Sequence, residues 1–126
     1  MENDIINFDI RKYRDNLRFK NDKIWDFCRK KWIAINPEEI IRQAMCEYLN
    51  KEKEIPYSLM QTETGLRYNQ LKKRADIIVF NRNAETLILV ECKSFSIKIT
   101  EKVLEQALVY HSQVKSKYLA LTNGYQ

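Results

Sequence analysis

ADIIVFNRNAETLILVECK, residues 75–93, decides how the chain folds. Two apolar runs, 75–80 and 86–93, flank the turn-rich NRNAE, which predicts an antiparallel β-hairpin. A turn centred near Asn83 and Ala84 sets Asp76 opposite Glu91. By the period of two, Glu91 and Lys93 share a face, and Cys92 points the other way with Val90 and Ile88. Side chains directly opposed on paired strands have their stems roughly 5 Å apart. Two carboxylates at that spacing repel, so the arrangement asks for a cation. Lys93 supplies one on the diagonal, as in an ordinary ion-paired strand end. A divalent metal would supply another, and Mg²⁺ suits a site with one or two carboxylates completed by water and phosphate. The spacing alone leaves both readings open, because a one-residue slip of register would separate the acids.

Around this hairpin the chain predicts a mixed α/β fold in the order α-β-β-β-α-β, with helices flanking the sheet. Asn36-Pro37-Glu38-Glu39 is a helix start. Asn36 suits the N-cap, Pro37 the first helical position, and Glu39 the third position of a capping box. Ile40, Ile41, Ala44, Met45, Tyr48 and Leu49 follow at helical spacing, which predicts a helix over 37–52 with one buried stripe, closed by Pro56. Residues 58–68 predict a strand or hairpin arm. Residues 101–114 predict a second amphipathic helix capped by Thr100, and 118–122 a final strand ended by Asn123-Gly124. Upstream, 16–20 and 23–27 alternate around Asn21-Asp22 as a small hairpin, with Trp32, Ile33 and Ile35 extending a strand or linker. The chain thus divides into a basic N-terminal extension, 1–35, and a core, 36–126, in one compact unit.

Composition sets outer bounds. The 126 residues suit a single domain, and 44% hydrophobic with 31% charged residues is globular rather than disordered. No apolar run approaches the roughly 18–20 residues that span a bilayer, and charges interrupt the N-terminus where a secretion signal would need an apolar stretch. Cys28, Cys46 and Cys92 are far apart and accompanied by one histidine, His111, which disfavours a disulfide scaffold or a Cys/His zinc site and suits the reducing cytoplasm. Net charge is +5, and residues 11–33 carry nine basic against three acidic side chains. Two clusters, Arg29-Lys30-Lys31 and Lys72-Lys73-Arg74, lie near aromatic residues. A cluster of this kind is commonly solvated surface, but two of them beside Trp, Tyr and Phe favour a nucleic-acid face.

Arg74-Ala75-Asp76, Glu91-Cys92-Lys93 and Gln106-Ala107-Leu108-Val109-Tyr110 resemble the motifs of the PD-(D/E)xK nuclease superfamily, the last being similar to the QxxxY element of its RecB-like branch. The wider series RKKW (29–32), NPEEIIRQ (36–43), KKRADIIVFN (72–81), LILVECKS (87–94), QALVYH (106–111) and YLALTNG (118–124) resembles the N-terminal nuclease domain family of type I restriction enzyme R subunits. The resemblance implies a restriction-endonuclease-like core and Mg²⁺-dependent hydrolysis of DNA phosphodiesters, with Mn²⁺ as a substitute. It implies that Asp76 and Glu91 ligate the metal with the Cys92 main-chain carbonyl, and that Lys93 activates the attacking water. Gln106 and Tyr110 would support the metal site or touch the substrate backbone; apart from the resemblance they read as helix surface and an aromatic core residue. An acid from the first helix is also implied, Glu39 first and Glu47 second, although the capping box explains Glu39 without catalysis. Arg29, Lys30, Lys31, Lys72, Lys73 and Arg74 would bind DNA. His111 reads as a core residue and Cys92 as a buried, unreactive thiol. Ala75 stands where the motif often has proline. No GxxxxGK[ST] occurs, so no ATP-driven motor is expected here, and more chain is expected after Gln126. The expected partner is DNA, in a homodimer or larger restriction-type complex, with no membrane. Against cleavage stand two other readings: a non-cleaving DNA-binding or assembly module of a restriction-type system, and an interaction domain in which these charges only pair with one another.

Overall fold

Asn36 opens the first helix as the sequence predicts: its side chain accepts the Glu39 N–H at 2.8 Å, and Pro37 needs no partner for a missing donor. The computed structural model describes residues 9–68, 71–93, 95–114 and 116–125, with side chains for 9–62, 76–93, 95–108 and 116–125. After a three-ten segment at Ile10–Asn16 come strands β1 (Phe19–Lys20), β2 (Lys23–Asp26) and β3 (Lys31–Ala34), then helix α1 (Pro37–Lys53). Strands β4 (Met60–Tyr68), β5 (Leu71–Phe80) and β6 (Thr86–Cys92) precede helix α2 (Glu101–Val114) and strand β7 (Tyr118–Thr122). The order from α1 onward is the expected α-β-β-β-α-β.

The result is a mixed α/β fold with two sheets. The first has the order β1-β2-β3 and the second β4-β5-β6-β7. In the second, β4, β5 and β6 are antiparallel neighbours, and α2 carries the chain across so that β7 lies parallel to β6. Thr100 caps α2, accepting the Val103 N–H on its hydroxyl at 3.3 Å. The hairpin register is the predicted one: Ile77 faces Val90, Ile78 faces Leu89 and Val79 faces Ile88. A bulge between Val79 and Phe80 then shifts the pairing, and Ala84 takes a positive φ of 62° in the turn.

Alternation sorts the strands' side chains. Ile77, Val79, Val90 and Cys92 pack into the main core with Ile41, Ala44, Met45, Tyr48 and Leu49 of α1. Ile78 and Leu89, on the other face, form a smaller cluster with Phe80 and Leu119. Ile10, Tyr13, Leu17 and Ile24 belong to the same main core, so the N-terminal extension packs on α1 rather than apart from it.

Four expectations change. The N-terminal hairpin is a three-stranded meander, because Trp32 and Ile33 pair with Trp25 and Ile24. Strand β5 begins at Leu71 rather than 75, so Lys72, Lys73 and Arg74 are part of the ladder with β4. Helix α1 is buried around most of its middle, not along one stripe, since it touches both sheets. That burial takes in Glu39, Arg42, Gln43 and Glu47, which a simple amphipathic pattern would leave in water. Finally, the Glu39 carboxylate does not close a capping box; it turns to Arg42 and Gln43.

Candidate active site

The middle of β5, the end of β6 and the first turns of α1 meet around Asp76. One step beyond the Ile77–Val90 pair, an Asp76 carboxylate oxygen accepts the Cys92 N–H at 2.7 Å. Its other oxygen accepts Arg42 Nη2 at 2.9 Å. Arg42 reaches there from α1 and also donates to the Glu39 carboxylate, one helical turn earlier. Glu39 accepts Gln43 Nε2 at 3.1 Å on its other oxygen. Both Glu39 and Arg42 are nearly removed from water, so each depends on the other's charge.

Glu91 and Lys93 flank Cys92, whose N–H holds Asp76. Lys93 Nζ lies 3.3 Å from Glu91 Oε2, and its main-chain N–H donates to the Thr122 carbonyl at 2.7 Å. The second bond fixes the backbone of Lys93 against β7, just past the end of β6. The Lys93 side chain is 33% exposed and the Glu91 side chain 23%, so this pair stands at the solvent edge, whereas Glu39 and Arg42 lie inside. Cys92 faces the core, and burial pushes its thiol well above its ordinary pKa, with the Asp76 charge adding to the effect. A thiol so held is not a nucleophile.

A second joint ties the N-terminal sheet to this region. Asp26 is fully buried at the end of β2 and accepts the N–H groups of Cys28 and Arg29, the Arg29 guanidinium at 2.7 Å and the Thr62 hydroxyl at 2.8 Å. Arg29 Nη2 also stands 4.0 Å from Glu39. An unbroken polar series therefore runs from Thr62 of β4 through Asp26, Arg29, Glu39 and Arg42 to Asp76.

The structure links Asp76 to Glu39 through Arg42 and holds Asp76 on the N–H of Cys92, which lies between Glu91 and Lys93 in sequence. It separates Glu47, the second candidate from the first helix, which accepts Asn16 Nδ2 at 3.1 Å and the Tyr57 hydroxyl. Gln106 is exposed on α2 and makes no hydrogen bond to Asp76, Glu91 or Lys93. Of the first basic cluster, Lys30 and Lys31 are exposed while Arg29 is spent on Asp26 and Glu39. The side chains of Lys72, Lys73, Arg74, Tyr110 and His111 lie outside the described residues. Arg42 is the residue that sequence reasoning missed. Its signal is its place three residues after Glu39, between Ile40-Ile41 and Ala44-Met45 of the apolar pattern.

Asp76, Glu91 and the Cys92 carbonyl are hard oxygen donors of the kind Mg²⁺ or Mn²⁺ takes, and a carboxylate oxygen that accepts one hydrogen bond keeps a second lone pair. The donor set fits a metal that retains several waters or phosphate oxygens. It does not fit a cage made by protein alone, since among the described residues no three His, Cys, Asp or Glu converge on one point. No helix among them is long and apolar enough to cross a membrane.

A family model described as the type I restriction enzyme R protein N terminus matches residues 37–126, which is α1 through the last strand and the whole of the cluster around Asp76 except Arg29 and Asp26. No curated protein matches the chain.

Proposed function

The chain belongs to the type I restriction enzyme R protein N-terminal family, and from that membership we propose that it carries a restriction-endonuclease-like core that hydrolyses DNA phosphodiester bonds with Mg²⁺ or Mn²⁺. The hydrogen bond that holds Asp76 on the Cys92 N–H, between the Glu91 and Lys93 whose side chains pair at the solvent edge, carries this reading. Asp76, Glu91 and the Cys92 carbonyl would hold the ion, which when bound would lower the pKa of water and offset charge on the scissile phosphate. Lys93 would orient the attacking water and stabilise the developing negative charge at the phosphorus oxygens. Arg42 holds Asp76 in place and links it to Glu39, so both are positioning residues. Gln106 and Tyr110 of α2 would touch the substrate backbone, and Lys30, Lys31, Lys72, Lys73 and Arg74, with Arg29 behind them, would draw the DNA toward the edge.

One observation favours a second reading, a DNA-binding or assembly module of a restriction complex that does not cut. Each acid of the cluster already has a cation: Asp76 has Arg42 and Glu91 has Lys93. Nicking of supercoiled plasmid in Mg²⁺ or Mn²⁺ separates the two. The nuclease reading expects wild-type nicking that is lost in Asp76→Ala and Lys93→Ala. Equal nicking by all three would overturn the assignment of these residues, and DNA binding without nicking in either metal would favour the assembly module.

A further inference from the structure

The N-terminal meander turns one face to solvent, and that face is neither acidic nor plain. In β2, Ile24 and Asp26 point inward and are buried, which leaves Lys23 and Trp25 pointing out. The register then builds two rows across the sheet. Trp25 lies beside Trp32 of β3, and its N–H donates to the carbonyl of Arg18 at 2.9 Å. Lys23 lies between Lys20 of β1 and Ala34 of β3. The outer face therefore reads Arg18-Trp25-Trp32 in one row and Lys20-Lys23-Ala34 in the next. Arg18, Lys20 and Lys23 are exposed, and Trp32 is 36% exposed. The indoles meet edge to face with centroids 5.2 Å apart, so a flat side of Trp32 is not consumed by stacking on Trp25. The acid closest in sequence, Asp22, sits in the turn and offsets one of the three charges.

An exposed indole at the surface of a small domain costs solubility unless it meets something. Aromatic rings set among cations on a sheet face suit one partner chemistry well: unpaired bases that stack on the rings, with backbone phosphates beside them. Duplex DNA presents phosphates but hides its base faces, and an acidic peptide does not alternate charge with a ring at every residue as a single strand does. We propose that this face binds single-stranded DNA, with a base on Trp32 and phosphates at Arg18, Lys20 and Lys23. The surface lies outside the family match, which begins at residue 37. The next pair along the strands is Asp26–Lys31, and the turn between them carries Arg29, 4.0 Å from Glu39. The choice of DNA over RNA rests on the proposed function; stacking and charge do not.

The chain has two tryptophans, both in this face, so its entire indole fluorescence reports on it. The test is titration of the full chain with an oligothymidylate in EDTA, read by indole fluorescence and by anisotropy of a labelled oligonucleotide. Quenching is expected on binding. Trp32→Ala should weaken binding roughly tenfold or more, and Trp32→Phe should restore most of it. Lys20→Ala with Lys23→Ala should flatten the slope of log affinity against log salt by about 1.4. Binding without quenching, or wild-type affinity in Trp32→Ala, overturns the proposal, as does equal competition by duplex DNA. Tighter binding of an oligouridylate than of the oligothymidylate overturns the choice of DNA. The outcome is independent of cleavage: the titration is run in EDTA, where no metal-dependent nicking occurs, so loss of nicking and loss of stacking are read apart.

Discussion

Replacing Arg42 by methionine removes the cation between two carboxylates while keeping the length of the side chain. The Glu39 side chain is 3% exposed and that of Asp76 17%, so neither can simply turn to water. Gln43 would still donate to Glu39, and the Cys92 N–H to Asp76. Those neutral donors leave both charges uncompensated. Breaking one side of a buried pair costs about 3–5 kcal/mol. For a chain of this length each kilocalorie lowers Tm by roughly 3–6 °C, so Arg42→Met should melt at least about 10 °C below wild type. The assay is thermal and urea unfolding followed by far-ultraviolet circular dichroism. Adding Glu39→Gln removes one orphaned charge and should recover part of the loss, although the same change in the wild-type background should destabilise. A melting temperature for Arg42→Met within about 3 °C of wild type, a shift worth under roughly 1 kcal/mol, would refute the claim that this guanidinium holds the cluster together.

Three further outcomes follow from particular groups. Burial alone would raise the Asp26 carboxyl, but hydrogen bonds from the main chain and guanidinium of Arg29, from Thr62 and from the Cys28 N–H outweigh it and hold the pKa below 3.8. A lowered carboxylate stabilises the fold above its unfolded value and loses that contribution as pH falls through the folded one. Wild type should therefore lose stability on acidification below about pH 4, and Asp26→Asn should be weaker at pH 7 but less sensitive in that acid range, as measured by urea unfolding at both pH values. Gly124→Ala should destabilise by about 1–3 kcal/mol in the same assay: its φ is +96°, and an added Cβ would stand 2.9 Å from Phe95 Cε1. Its carbonyl also accepts the Ile10 N–H at 2.9 Å, so the loss should reach the N-terminal segment. A hydrogen bond to Cys28, aided by burial, pushes the Cys46 thiol well above its usual value, and burial does the same to Cys92. Neither should react with a thiol reagent at neutral pH before the chain unfolds; native labelling of Cys46 or Cys92, located by mass spectrometry, would contradict the packing.

Much of the fold was legible because its signals are local. Asn36-Pro37 dictates a helix start, and two apolar runs around NRNAE dictate a hairpin whose register places Asp76 beside the end of β6. The third strand of the meander was less visible, because Lys31-Trp32-Ile33-Ala34 alternates weakly and needs β2 to complete it. The site was half legible. Asp76 and Glu91 sit on paired strands of fixed period and Lys93 follows β6 directly, so their order along the strand ends follows from register. Arg42 could not be read the same way, since its partner Asp76 is distant in sequence and its burial arises only when both sheets cover α1. The choice between Glu39 and Glu47 was also tertiary. Both are buried on one helix, and only their neighbours distinguish them: Arg42 for one, Tyr57 and Asn16 for the other.

The central claim is that Asp76 and Glu91 form a metal site rather than two ion pairs. A crystal of the chain soaked in Mn²⁺ and measured at the manganese absorption edge tests it directly. The account predicts an anomalous peak roughly 2.0–2.3 Å from oxygens of Asp76 and Glu91, absent in crystals of Asp76→Asn. No peak at saturating Mn²⁺, with Arg42 still on Asp76 and Lys93 still on Glu91, would contradict it and leave the cluster as a structural ion-pair network.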